Sequence, residues 1–369
     1  MLLNALLLTV TLTGQAPAQA GAVTSSATDS LSQAYLLFLQ ARDLADRSDV
    51  AGAAAAYRRA SELVPASAEI HAELAGLFAR DGQAEAAMKE GAVALAIDGQ
   101  NRTASRVLGL LKAEMAERTR DAAQASAMRN EAVKHLEIVR ADRLADPTLE
   151  LTLGRLYVED EQYAKGIEIL RLFLLDRPDF PDGLFLLATA QEETGAWKEA
   201  ADNWTHLVRV QPRNIGFRAR QGNALANSGN LDGAEQAFRD VVAAQPTNAA
   251  ALNYLGYMLA ERGTKLDEAV AFITRALALD SNNPSFLDSL GWAYVMQSEL
   301  DRARDPLQRA AAARPTTSVI QDHLAELYFR LKLYREAVET WDKALAGDRV
   351  GIDVAAITQK REKARALVR

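Results

Sequence analysis

Cysteine is missing from this sequence of 369 residues. Disulfide bonds, thiolate metal sites and cysteine nucleophiles are therefore excluded, and lipid attachment to an N-terminal cysteine is not expected. Aromatic residues are also scarce, at 6% of the chain, while apolar residues make up 49% and alanine is prominent among them. Alanine together with leucine, glutamate and arginine favours closely packed helices over strands. The composition predicts an all-α fold.

An excess of positive charge is missing as well, because 42 Lys and Arg stand against 49 Asp and Glu. Phosphate binding requires a basic face, so nucleic acid is not expected as a partner. The four histidines, His71, His135, His206 and His323, are far apart, and none forms a paired motif around a glutamate. The chain also lacks GxSxG, P-loop and GxGxxG motifs. We therefore expect no metal, no cofactor and no catalytic residues, and we predict that the protein is not an enzyme.

The N-terminus lacks a basic residue before its apolar run, which extends from Leu2 to Leu12. The run has the length of a signal-peptide core and is too short to span a bilayer. Ala18-Gln19-Ala20 fits the small-x-small rule, which predicts cleavage between Ala20 and Gly21 and a periplasmic or secreted protein without a transmembrane span. The alternative is an apolar helix or a wrongly assigned start codon, with a cytoplasmic location. Residues 21–33 are small and polar, which predicts a tether.

Proline recurs at a fixed interval in the middle of the chain, since Pro178, Pro212 and Pro246 are each 34 residues apart. Before each such breaker, small residues lie 24 and 12 positions upstream, and a large apolar residue follows the second one by four positions. Paired helices approach closely only where side chains are small, and the large residue then fills the remaining space. The pattern predicts nine helix pairs, at residues 34–67, 68–101, 102–146, 147–180, 181–214, 215–248, 249–283, 284–317 and 318–350.

This spacing resembles the signature of tetratricopeptide repeats. The best match is the eighth unit, with Leu287, Leu290, Gly291, Tyr294, Ala303, Leu307, Ala310 and Pro315. The resemblance implies an α-solenoid that forms a right-handed superhelix. Residues 351–369 are expected to form an amphipathic capping helix that covers the last unit with Val354, Ile357, Ala364 and Val368. Contact with a membrane or an acidic partner is the alternative role for the basic residues of this helix.

Three units depart from the regular pattern. The third is about 11 residues longer and has no Gly or Pro between Leu110 and Asp146, which predicts a projecting hairpin turning near 119–124. The surface at 112–131 is therefore an alternative binding surface. The second unit has Gly91 where a large residue is expected, and the seventh has one extra residue near Gly263. Pro306 lies inside a predicted helix, at the end of its first turn or just beyond, where it should at most bend the helix.

The resemblance implies that the second, fifth, ninth and twelfth positions of each first helix line a concave, peptide-binding groove. Asparagine can bond both groups of an extended peptide backbone, aromatic side chains anchor interfaces, and carboxylates favour a neutral or basic segment. A chaperone-type carboxylate clamp is incomplete, because Ala219 stands where that clamp has lysine. Packing against adjacent helices is the alternative role for the Tyr and Trp candidates. The candidate residues are Asn223, Asn253, Tyr257, Asp288, Trp292, Asp322, Glu326 and Phe329.

The segments 252–257 and 287–292 also look like repeat adaptors of the bacterial cell envelope. Some of those adaptors are outer-membrane lipoproteins that present substrates to a periplasmic protease, but a chain without cysteine is not expected to be one. The expected function is a non-catalytic scaffold or adaptor, exported to the envelope, that binds proteins or peptides in its groove. The alternatives are a cytoplasmic adaptor resembling a co-chaperone, and a non-catalytic enzyme subunit such as a protease-activating adaptor.

Overall fold

The computed structural model describes residues 20–140 and 146–368, and these ranges contain nineteen α-helices and no strand. The predicted signal peptide lies outside the described residues, apart from Ala20. Helices α1 to α18 form nine pairs, and α19 (Val354–Arg365) follows. The pairs are α1 (Ala20–Asp46) and α2 (Val50–Leu63), α3 (Ala68–Arg80) and α4 (Ala84–Ile97), α5 (Arg102–Arg118) and α6 (Ala122–Arg140), α7 (Pro147–Glu159) and α8 (Tyr163–Asp176), α9 (Pro181–Glu193) and α10 (Trp197–Val210), α11 (Ile215–Asn227) and α12 (Leu231–Ala244), α13 (Ala249–Glu261) and α14 (Leu266–Leu279), α15 (Pro284–Met296) and α16 (Leu300–Ala313), and α17 (Ser318–Arg330) and α18 (Tyr334–Ala346).

The helices are arranged in two compact bodies, an N-terminal body up to Ile169 and a C-terminal body from Leu170 onward. Within each body the helices of a pair pack against one another, and first helices of consecutive pairs, such as α3 and α5 or α13 and α15, are also in contact. The predicted all-α solenoid is confirmed. From α3 onward, each first helix begins at the residue where the sequence places the start of a unit.

Polar caps and left-handed turns fix the ends of these helices. Asn214, Asn248 and Asn283 each accept a hydrogen bond from a backbone N–H in the first turn of the following helix. Between the helices of every pair except α5 and α6, at least one residue adopts a positive φ, such as Gly229 at 87° or Lys332 at 62°. Glycine adopts this conformation without steric cost, but the turn also forms with other residues there. Most of the pairs therefore share one kind of turn despite different turn sequences.

Small residues on the first helices allow the second helices to approach closely. A Cβ added to Gly256 would lie 2.5 Å from Ile273 Cγ1, and one added to Gly222 would lie 2.6 Å from Phe238 Cε2. The exception at Gly91 has a local explanation, because a Cβ there would lie 2.9 Å from Leu108 Cγ. Leu108 belongs to α5, so a side chain from the next unit fills the space that the sequence left open.

One segment differs from the sequence-based expectations. Helix α1 begins at Ala20, so residues 21–33 are helical rather than an irregular tether. No proline interrupts this stretch, and each residue added to an existing helix gains a backbone hydrogen bond.

Pro306 is the seventh residue of α16, beyond the first turn, and the helix continues to Ala313. Helices α5 and α6 have 17 and 19 residues and turn at 119–121, close to the predicted position. No helix of the described ranges has the length and apolar character that crossing a bilayer requires.

The close approach at Gly291 generates a test of the packing. Replacement of glycine by alanine inside a helix ordinarily gains about 1 kcal/mol. A Cβ at position 291, however, would overlap Leu307 Cγ and lie 3.2 Å from the Leu307 backbone nitrogen. We expect Gly291→Ala to lower the free energy of unfolding by about 1–3 kcal/mol, and Gly291→Leu to unfold the C-terminal repeats.

Gly76→Ala is the matched control, because Gly76 also lies inside a first helix, but its nearest neighbour would be Val107 Cγ2 at 3.8 Å. This variant should be neutral or slightly more stable than the wild type. Denaturant unfolding of the full chain, followed by circular dichroism, measures both effects. Equal stabilities of the two alanine variants would contradict the proposed packing.

Candidate peptide-binding wall of the C-terminal body

The candidate residues lie on the first helices α11, α13, α15 and α17, and together with α9 these helices form what we call the first-helix wall. Each of these five helices begins after a short loop and has 13 residues. The fifth and ninth residues therefore occupy equivalent places on each helix. Helix α15 contacts both α13 and α17. Side chains from consecutive units can therefore meet across the wall.

Tyr257, Asp288 and Trp292 come together around His323, a residue that the sequence reasoning did not select. The Nδ1 atom of His323 lies 3.0 Å from each carboxylate oxygen of Asp288. The indole of Trp292 stacks on the imidazole, with 4.3 Å between ring centroids and 14° between planes, and the ring of Tyr257 is 6.2 Å away. Three successive units thus contribute to one cluster, whose only sequence signal is a histidine 35 residues after Asp288.

Charge in this cluster favours a protonated imidazole. Burial by itself lowers the pKa of His323, but the charge and hydrogen bond of Asp288, together with Asp322 and Glu261, outweigh it and raise that pKa above its ordinary value. Burial also raises the pKa of Tyr257, and Glu261 adds to this through its charge and a hydrogen bond. The phenol therefore remains a hydrogen-bond donor at neutral pH.

The carboxylates are less available than the sequence predicted. Asp288 is 6% exposed and is held by His323, so it does not lie open on the groove surface as the resemblance implied. Asp322 accepts a hydrogen bond from Trp341 Nε1 at 2.7 Å, and Lys360 Nζ lies 3.4 Å from it. Partners on other helices thus neutralise much of the acidic character expected of this wall.

The last unit of the wall is covered in part by the C-terminal helix. Glu326 pairs with Arg330 Nε at 2.9 Å, and Lys360 Nζ of α19 lies 3.7 Å from it. Phe329 packs against the rings of Tyr334 and Trp341, and Lys363 Nζ lies 5.5 Å from its centroid.

Helix α19 itself behaves largely as a cap. Ile357 and Ala364 are buried against the last pair, whereas Val354 and Val368 remain partly exposed. Of the four apolar residues predicted to cover the last unit, two are therefore buried there.

Unpaired polar atoms recur along the rest of the wall. Among the residues that the structure describes, the following buried atoms have no hydrogen-bond partner, although each residue as a whole is only half-buried: Thr189 Oγ1, Gln221 Oε1, Asn253 Oδ1 and Trp292 Nε1. Thr189, Asn253 and Trp292 lie at the ninth, fifth and ninth positions of α9, α13 and α15, whereas Gln221 lies at the seventh position of α11 and donates through Nε2 to Thr205 on α10. Asn223 is half-buried and takes no part in the His323 cluster. No group of three or more metal-binding side chains occurs in residues 20–140 or 146–368.

The match to a known repeat family follows the helix pairs. The model of the tetratricopeptide repeat matches residues 38–102, 151–204 and 220–284. The chain belongs to the tetratricopeptide repeat family. Its repeats build protein-interaction surfaces by stacking units side by side.

This tetratricopeptide protein is 30% identical over 156 residues to a TPR repeat-containing protein of Pseudomonas aeruginosa, which covers 41% of this chain and 26% of that protein. It is 26% identical over 180 residues to the probable UDP-N-acetylglucosamine–peptide N-acetylglucosaminyltransferase SPINDLY of Hordeum vulgare, covering 42% and 19% of the two chains. The chain thus spans about a quarter or less of the length of these curated relatives. A crystal structure of a tetratricopeptide repeat protein from Parabacteroides merdae aligns with a TM-score of 0.53 at 15% identity, over 69% of this chain and 99% of that one, which shows the fold alone.

The role of Asp322 in holding the last unit can be tested by a pair of substitutions. Asp322→Ala leaves the fully buried Trp341 without its Nε1 acceptor, so we expect a loss of about 1–3 kcal/mol in the free energy of unfolding. Asp342→Ala is the matched control, because Asp342 also lies within a helix but forms an exposed ion pair with Arg361. That change should cost at most about 1 kcal/mol. Chemical denaturation measures the stability of both variants. Equal denaturation midpoints would show that Asp322 does not hold the last unit together and is instead available in the groove.

Proposed function

We propose that this tetratricopeptide protein is a non-catalytic scaffold whose C-terminal first-helix wall binds an extended peptide segment of a partner protein. The observation that supports this most is that, among the described residues, a buried polar atom without a hydrogen-bond partner occurs at the fifth or ninth position of three first helices: Thr189 Oγ1 on α9, Asn253 Oδ1 on α13 and Trp292 Nε1 on α15. Each buried polar group without a partner costs about 1–3 kcal/mol. An extended backbone supplies N–H and C=O groups alternately, and small rotations of the Thr189 and Asn253 side chains would bring their oxygen atoms to it.

The chemistry of the wall favours a neutral segment. Asp288, Asp322 and Glu326 each have a cationic partner within the chain, so their attraction for a basic peptide is reduced. Aromatic surface remains at Tyr257 and Trp292, which are half-buried. The two residues lie on α13 and α15, the first helices of neighbouring units. Such side chains supply contact area at low cost in conformational entropy. A neutral, extended segment with apolar side chains meets these properties best.

Export to the bacterial envelope is a second part of the proposal, and it rests on the N-terminal sequence alone. The apolar run from Leu2 to Leu12 and the Ala18-Gln19-Ala20 motif support a cleaved signal peptide. The protein purified from its native cells should therefore begin at Gly21 and be found in the periplasmic or secreted fraction. Mass spectrometry of the intact N-terminus checks this, and an uncleaved Met1 in cytosolic protein would disprove it.

Peptide binding by the wall can be tested with a phage-displayed library of random peptides selected against the full chain. Peptides that are recovered should bind Trp292→Ala more weakly by about 2 kcal/mol, because an interface anchor is removed. Trp197→Ala is the matched control, since Trp197 is also half-buried but opens the second helix α10. Its affinity should stay within about threefold of the wild type.

Isothermal titration calorimetry measures these affinities, with circular dichroism to confirm that each variant is folded. Recovered peptides that bind both tryptophan variants as tightly as the wild type would reject the wall as the binding surface. The extended hairpin of α5 and α6 would then be the next surface to test, by deletion of residues 116–125.

A further inference from the structure

The imidazole of His323 is held on one side only. Its Nδ1 lies 3.0 Å from both oxygens of Asp288, and both side chains are almost fully buried. Its flat face is occupied by the indole of Trp292. The Nε2 atom has no hydrogen-bond partner in the part of the chain that the structure describes. The ring is therefore fixed in orientation, while its Nε2 atom remains available for a ligand.

The contact with Asp288 decides which proton the imidazole can lose. A carboxylate accepts hydrogen bonds and does not donate them, so the proton on Nδ1 stays between the two residues. Titration of His323 therefore adds or removes the proton on Nε2. Protonated, Nε2 is a donor that carries part of a positive charge. Deprotonated, it presents a lone pair instead.

The charged and titratable groups around the ring define what Nε2 can bind. Helix α13 contributes Tyr257 and Glu261, α15 contributes Asp288, and α17 itself carries Asp322. Helices α18 and α19 reach Asp322 through Trp341 and Lys360. With three carboxylates near the ring, an anionic ligand would be repelled. A neutral carbonyl oxygen is the acceptor that this environment accommodates.

We infer that His323 is a binding residue of the first-helix wall, where its Nε2–H donates a hydrogen bond to a backbone carbonyl of the bound peptide, making binding dependent on protonation of this histidine. This inference rests on the proposed function, because it requires a peptide on the wall. Asp288 acts as a positioning residue that fixes the ring and stabilises its charge. Trp292 and Tyr257 flank the carbonyl site.

The sign of the pH dependence follows from the chemistry of Nε2. Binding is strong while His323 is protonated and weakens as pH rises through its titration, because the lone pair on Nε2 then faces the carbonyl oxygen. Burial alone would lower the pKa of His323, but the surrounding carboxylates outweigh it and raise that pKa, so the transition lies above the ordinary histidine value. A peptide without titratable side chains separates this effect from titration of the ligand.

The experiment uses the full chain and a wall-binding peptide from the phage selection, resynthesised with blocked ends and without titratable side chains. Its dissociation constant is measured from about pH 5.5 to about pH 9. The wild type should lose about tenfold in affinity as pH rises. His323→Gln should bind with a constant, weaker affinity, and Asp288→Asn should move the transition to lower pH. His206→Gln is the matched control, because His206 pairs with Asp179 through an exposed contact on another helix, and it should keep the wild-type profile.

The outcomes separate the two proposals. A wild-type affinity that depends on Trp292 but not on pH, or a pH dependence that persists in His323→Gln, overturns the inference while peptide binding stands. Failure of every selected peptide to depend on Trp292 rejects both. If the buried substitutions unfold the chain, ¹⁵N spectra of the wild-type histidines decide instead. The peptide should then shift the His323 Nε2 resonance and raise its titration midpoint, and unchanged values would overturn the inference.

Discussion

The close approach of two helices at a small residue is the constraint on which each unit depends. At Gly222, Gly256 and Gly291, the space that a Cβ would occupy is already taken by a large side chain of the paired helix. Because this contact recurs at the eighth position of these three consecutive units, it fixes the rotation of each first helix about its own axis. The remaining positions of that helix are then fixed too, so residues at the fifth and ninth positions reach the same surface in unit after unit. Packing inside the pairs thus determines what the wall can present.

Polar side chains on that wall have two roles, and the structure separates them. Some join successive units, as Asp288 does with His323 and as Asp322 does with Trp341. A buried charged group is tolerated only with such partners, since its desolvation is otherwise unfavourable. Others, such as Asn253, retain an atom that has no partner in the described part of the chain. The first kind holds the binding surface in shape, and the second kind gives that surface its capacity to bind a backbone.

The C-terminal helix influences the wall as well as closing the last unit. Ile357 buries its side chain against the preceding pair, as a cap requires, while Lys360 lies beside Asp322 and Glu326. The helix thus reduces the negative charge at that end of the wall. Units further from it rely on amide and aromatic side chains, which favour neutral ligands. Through Lys360, the helix that caps the last unit therefore also affects which ligands the wall favours.

The sequence by itself determined the features that lie within one unit. The 34-residue spacing, the helix starts and the contact between Gly291 and Leu307 follow from local periodicity, because both partners belong to one hairpin and their separation along the chain is fixed. Only the tertiary structure decided which side chains meet between units. Leu108 at Gly91, His323 at Asp288 and Lys360 at Asp322 come from different units or from the cap. Their meeting depends on how one pair packs on the next, and a repeat pattern identifies the stacked units without specifying the partner of each polar side chain.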